Sequence, residues 1–239
     1  MKILITGGGR GLGKIIAENL LGDNNKVVIF DRLTKEQIDS SYLYKLDGYY
    51  KVDLGDFEIL NNTLDEVLTK YGSFDVLINN AALREFFPFE NFSQENITYN
   101  IKVNFEAPLF VIKKLLPSMI ENNFGRIINV SSISGLQGYA KGTLYCSTKS
   151  ALIIFTESLS SDLKLLKRNI TANAILPDSF QTREGEKLKN YDFIINTAVK
   201  IIRELINTNI NGKIVVISPP IKKIKEITKA LFAQFKRFY

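Results

Sequence analysis

Tyr145 stands four residues before Lys149 in the segment LYCSTK (144–149) of a 239-residue chain that contains no histidine. On a helix, residues i and i+4 share one face, so the phenol and the ammonium point into the same space. A nearby ammonium favours phenolate over phenol and draws a tyrosine pKa down from about 10 toward neutral pH. The pair is therefore a candidate for the proton chemistry that histidine performs elsewhere. Cys146 lies next to Tyr145, but consecutive helical residues point about 100° apart, and it reads as a small packing residue. It is the only cysteine, which excludes a disulfide framework within the chain. No metal site is expected.

A second group of residues suits phosphate. In TGGGRGLGK (6–14), Gly7, Gly11 and Gly13 fall between a strand pattern and a helix pattern, with Leu12 inside the turn. Glycine lets the backbone turn sharply there and approach a pyrophosphate at the positive end of the helix. Asp31 follows at the end of the second apolar run, where a carboxylate can accept both ribose hydroxyls of an adenosine. The combination points to a bound dinucleotide. Asp31 would repel the extra phosphate of NADP and so favours NAD, whereas Arg10 and Arg32 could hold that phosphate and leave NADP as the alternative.

These residues need a scaffold, and the apolar pattern supplies one. KILIT (2–6), KVVIF (26–30), YYKVDL (49–54), FDVLINN (74–80), GRIINVSS (125–132), ITANAIL (170–176) and KIVVIS (213–218) are short, β-branched and apolar on successive residues. That is the pattern of strands buried on both faces. Helical spacings lie between them, as in Ala151, Leu152, Phe155, Leu159, Leu163 and Leu166. The alternation predicts an α/β fold of Rossmann type, a doubly wound, seven-stranded parallel sheet flanked by helices. The length suits one domain (1–218) with a short tail (219–239). With 45% hydrophobic and 23% charged residues, the composition is that of a soluble globular protein. No run approaches the roughly 20 apolar residues of a membrane span, and MKILITGGG enters a strand with no secretory leader before it, so a cytoplasmic location is expected.

The formal charge of +6 is concentrated in the tail. There Lys222, Lys223, Lys225, Lys229, Lys236 and Arg237 oppose only Glu226. The body is near neutral and carries no nucleic-acid-binding motif, so no nucleic-acid partner is expected. Ile221, Ile224, Ile227, Leu231, Phe232, Phe235 and Phe238 form an apolar stripe at helical spacing. Packing of that stripe on the body or on a second subunit is preferred to docking on a membrane surface.

Taken in order, these motifs resemble the single-domain short-chain dehydrogenases/reductases with a Tyr-x-x-x-Lys motif. The resemblance covers nearly the whole chain. It is carried by TGGGRGLG, Asp53 after the third strand, NNAA (79–82), Asn104 in KVNF, Ser132 in INVSSISG, Tyr145 with Lys149, and PDSFQT (177–182). It implies that Tyr145 exchanges a proton with the substrate oxygen and that Ser132 hydrogen-bonds the same oxygen. Lys149 would also bind the nicotinamide ribose, and Asn104 would hold a water linking Lys149 to solvent. Asp53, Leu54, Asn79, Ala81, Pro177 and Thr182 would complete the cofactor contacts. A homodimer or homotetramer is implied, acting on a small-molecule or carrier-linked carbonyl or alcohol.

Three features depart from that pattern. Asp178 replaces the usual glycine after Pro177; the stretch after Thr182, beginning REGEKLKN, is short for a substrate lid; and the last strand ends in VVISPP. A carboxylate at position 178 would favour a positively charged, oxidised cofactor. Arg84, Phe86, Phe87 and Phe89 could line the cleft or form a packed loop. The expected activity is NAD(P)-dependent interconversion of a secondary alcohol and a ketone. The alternatives are a nucleotide-sugar epimerase or dehydratase, or a catalytically idle dinucleotide-binding subunit acting through a partner or membrane surface.

Overall fold

The apolar runs form seven strands in the computed structural model, which describes residues 1–179 and 188–219. They are β1 (Lys2–Thr6), β2 (Lys26–Asp31), β3 (Gly48–Lys51), β4 (Val76–Asn79), β5 (Gly125–Val130), β6 (Ile170–Pro177) and β7 (Ile214–Ile217). All pair in parallel in the order β3-β2-β1-β4-β5-β6-β7. Four predicted strands ran too far at their carboxyl ends: Val52–Leu54, Asn80, Ser131–Ser132 and Ser218 lie beyond strand ends. These residues leave the ladder to form the rim of the sheet.

The helices are α1 (Gly11–Leu21), α2 (Ser40–Leu43), α3 (Phe57–Tyr71), α4 (Gln94–Ile101), α5 (Ala107–Glu121), α6 (Thr143–Leu165) and α7 (Tyr191–Asn207). Successive strand side chains point to opposite faces, and both faces of this sheet are apolar. Ile3, Ile5, Val27 and Ile29 pack with α1 and α7, while Leu4, Val28 and Phe30 pack with α3 and α5. Burial on both sides is why the strand runs do not alternate.

The stretch after Thr182 is mostly not a lid. Residues 191–207 form α7, whose Ile194, Ile195, Ala198, Ile202, Leu205 and Ile206 are buried in the core. Thr182 lies outside the described residues, as does the tail beyond Pro219. Among the described residues, no helix is long and apolar enough to cross a membrane.

The strand order reverses between β1 and β4, since β2 and β3 lie on one side of that pair and β5 to β7 on the other. Loops leaving the carboxyl ends of β1 and β4 therefore part in opposite directions. A crevice opens between them, the usual ligand position in such sheets.

Candidate active site

A cleft of about 280 Å³ occupies that crevice. One end is built around the turn after β1. Gly7 (φ +68°) and Gly11 (φ +56°) have left-handed backbone, which glycine adopts without penalty. A Cβ on Gly13 would lie 2.1 Å from the Gly7 carbonyl oxygen, so helix and strand approach as only glycine allows. Nothing lies within 4 Å of where a Cβ would stand on Gly11. This leaves an open cradle against the first turn of α1, shaped for a phosphate group. The Asn80 amide donates to the Gly7 carbonyl (2.7 Å), and the Tyr42 hydroxyl to that of Gly8 (2.8 Å), bracing the turn from two sides.

Asp31 ends β2 with its carboxylate against the same turn. It accepts from the Gly9 N–H at 2.7 Å and the Leu33 N–H at 3.0 Å. Arg10, Leu12 and Arg32 line the cleft beside it. Asp53 and Leu54 follow, and the Tyr99 hydroxyl donates to both Asp53 oxygens, at 2.8 and 3.0 Å. Burial and that carboxylate push the Tyr99 phenol up to about 12. The residues here suit the adenosine half of a dinucleotide. The Asp31 carboxylate could receive a ribose, and Phe30, Val52 and Val103 line an apolar side of the cleft.

At the other end, α6 carries Tyr145 and Lys149 into the cleft beside Ser132, which leaves β5. Ser132 caps a short turn through the Ser134 N–H (3.1 Å), which fixes its hydroxyl oxygen toward Tyr145. The Lys149 Nζ lies 5.9 Å from the centre of the Tyr145 ring and donates to the Val130 carbonyl at 2.8 Å. The phenol, the hydroxyl and the ammonium thus converge where a reacting oxygen could sit.

Comparison with known proteins decides what this cleft belongs to. Residues 1–192 match the short chain dehydrogenase family. The chain belongs to this family. Among curated relatives, galactitol 2-dehydrogenase of Agrobacterium fabrum is 32% identical over 73% of this chain and 68% of its own. The 3-oxoacyl-acyl-carrier-protein reductase FabG of Aquifex aeolicus is 32% identical over 75% and 73%. Among solved structures, ElxO with NADP bound superposes with a TM-score of 0.76 at 28% identity, covering 90% of this chain and 96% of its own. This short-chain dehydrogenase is accordingly an NAD(P)-dependent oxidoreductase with a Rossmann-like sheet.

Within the dehydrogenase, most of the residues singled out by sequence line the cleft, including Gly7, Ala81 and Pro177. Four do not. Gly11 and Gly13 shape the turn through their backbones. Asn79 ends β4 inside the sheet, where its amide donates to Asn129 at 2.9 Å; Asn80, one residue on, reaches the rim instead. Asn104 is fully buried in a π-helical turn (Lys102–Glu106). Its amide accepts from the Leu83 N–H (2.7 Å) and donates to the Leu83 carbonyl (2.9 Å) and toward Thr148 (3.4 Å). That side chain is engaged by protein partners at Leu83 and Thr148.

The proton balance of the pair also differs from the spacing argument. Burial raises the Tyr145 pKa, while the Ser132 hydroxyl and the Arg84 guanidinium pull in the lowering direction. Lys149 is itself drawn down to about 8 by complete burial. Proximity alone favours phenolate, but both ions are desolvated here, and desolvation disfavours each charged form.

The cleft is also lined by residues to which the sequence assigned no role. Tyr99, Asn80 and Leu83 come from loops and a helix whose approach to the cleft depends on the tertiary path. Arg84 lines the cleft with its guanidinium 5.5 Å from the Phe86 ring centre, and Phe86 meets Tyr145 edge-on at 5.5 Å. Phe87 and Phe89 stand half exposed away from the lining. Asp178 lines the cleft without left-handed backbone.

Proposed function

We propose that the chain interconverts a secondary alcohol and a ketone, with Tyr145 as acid/base and NAD as the preferred carrier. The observation that carries this reading is the placement of the Tyr145 phenol beside the Ser132 hydroxyl, at the opposite end of one cleft from the Asp31 carboxylate. A bound nicotinamide supplies or accepts the hydride. In reduction the Tyr145 hydroxyl gives its proton to the substrate oxygen as hydride reaches the carbonyl carbon; in oxidation the phenolate takes that proton back. Ser132 donates a hydrogen bond to the same oxygen, where negative charge develops. Lys149, held by Val130, places a cation near the phenol. Burial keeps Tyr145 protonated at neutral pH, which suits it to the donor role.

Asp31 supports NAD because its carboxylate already gathers two backbone amides and faces the cleft where a ribose phosphate would bring a second negative charge. The relatives named for galactitol and for a carrier-linked 3-oxoacyl group support a polar secondary alcohol or a 3-oxo compound as substrate.

Tyr145→Phe tests the assignment. The expected outcome is a fall in kcat of about 100-fold or more, with NADH affinity within about three-fold of wild type. Retained turnover with galactitol or a 3-oxoacyl thioester would refute it.

A further inference from the structure

Two of the sequence features that stood apart touch each other at the reaction end of the cleft. Asp178 follows Pro177 at the end of β6, and its N–H donates to the Ile217 carbonyl at 2.8 Å, extending the pairing with β7. One carboxylate oxygen accepts from the Ser179 N–H at 2.7 Å, and the other from the hydroxyl of Ser218, just beyond β7, at 3.2 Å. Both donors are neutral. None of the ion pairs among the described residues includes Asp178. The carboxylate is therefore held in a fixed position on the cleft wall.

The position along the cleft gives that charge a consequence, on the reading of the cleft as a nicotinamide dinucleotide site. Asp31 and the Tyr99–Asp53 pair mark the adenosine end, and the glycine turn marks the pyrophosphate. The end left for the nicotinamide is the one lined by Ser132, Tyr145, Lys149 and Asp178. The oxidised ring is cationic and the reduced ring neutral, while adenosine, pyrophosphate and riboses are the same in both forms. A fixed carboxylate at this end thus distinguishes the redox states, and contributions from the rest of the site cancel in the ratio of their affinities. Lys149 and Arg84 line the same end as cations and act in the opposite sense. However, the Lys149 Nζ is turned onto the Val130 carbonyl, and the Arg84 guanidinium lies over Phe86.

We propose that Asp178, held by Ser218, selects the oxidised cofactor over the reduced one. By thermodynamic linkage, the same factor makes the bound reduced cofactor a stronger hydride donor. A bound dihydronicotinamide would supply the hydride, two electrons and one proton, to the carbonyl carbon, Tyr145 would give its proton to the carbonyl oxygen, and Asp178 on the cleft wall would stabilise the cationic ring left behind. The carboxylate thereby favours ketone reduction on the enzyme.

The test is calorimetric titration of the full chain with NAD+ and with NADH at low salt, in wild type, Asp178→Asn and Asp178→Glu. NADP+ and NADPH serve instead if they bind more tightly. Asparagine can keep bonds to Ser179 and Ser218 without the charge. The expected result in Asp178→Asn is a fall of about five-fold or more in the ratio Kd(NADH)/Kd(NAD+). The loss should come from weaker NAD+ binding, while Asp178→Glu retains the ratio. A ratio within two-fold of wild type in Asp178→Asn, or equal weakening of both forms, overturns the proposal. If the wild type binds neither form, the dinucleotide reading itself fails; if it binds both and the ratio does not move, only the role of Asp178 falls.

Discussion

Asp31 holds two backbone amides before it holds any ligand, and replacing it with alanine should unfold the chain more readily as well as weaken cofactor binding. The Gly9 N–H, buried at 2.7 Å, and the Leu33 N–H, partly buried at 3.0 Å, would both lose their acceptor. A hydrogen bond to a charged group contributes about 1.5–3 kcal/mol, and an orphaned buried donor costs about 1–3 kcal/mol. Taking the upper part of the range for Gly9 and the lower part for Leu33 gives an expected loss of about 3–4 kcal/mol. For a chain of this size that corresponds to a fall in Tm of roughly 10 °C. Asp31→Asn keeps one acceptor oxygen and should lose about half as much. The assay is urea unfolding of the apoprotein followed by circular dichroism, because the chain has no tryptophan, alongside a titration with NADH. A loss below about 1 kcal/mol in Asp31→Ala, with cofactor binding abolished, would refute the reasoning. Asp31 would then be a ligand group alone, with no part in holding the turn.

Lys149→Met should stabilise the fold by about 3 kcal/mol at pH 7 while abolishing turnover, because burial lowers the lysine from its usual 10.5 to about 8. Between those values the unfolded chain keeps a proton that the folded chain has lost. Wild-type stability therefore rises with pH across this window, and the advantage of methionine, read by urea unfolding, should shrink from pH 8 to 10.5. Gly13→Ala should lower cofactor affinity at least about ten-fold and destabilise by roughly 2–3 kcal/mol, since its Cβ would meet the Gly7 carbonyl oxygen, which is backbone and cannot swing aside. Gly11→Ala meets open space and only a left-handed φ, so thermal unfolding should show a loss of about 1 kcal/mol.

The sheet was legible because strands buried on both faces must be apolar on successive residues, and the runs beginning at Lys2, Lys26 and Ile170 carried that mark. The ends of the cleft were legible where chemistry restricts the residue type: glycine at Gly13, a carboxylate at Asp31, a phenol at Tyr145. Asn79 and Asn80 show where this stops. Adjacent residues of one type differ only in which is the last inside the sheet, and the register of β4 decides it. α7 was read as lid span although Ile194, Ala198, Ile202 and Leu205 carry helical spacing. The direction of the Tyr145 shift was misjudged because spacing reveals which groups are neighbours but not how much water surrounds them. Tyr99 reaches Asp53 from 46 positions away, and nothing local to either residue announces it.

Asn104 imitates a neighbouring peptide. By accepting from the N–H and donating to the carbonyl of Leu83, its amide makes the two bonds that a strand would make, and it makes them from a helix. The same amide reaches Thr148, one residue before Lys149. The loop at Leu83 and the helix that carries Tyr145 and Lys149 are therefore joined through one side chain. A displacement of Leu83 is therefore shared with Asn104 and, through it, with Thr148 on the helix that carries Lys149.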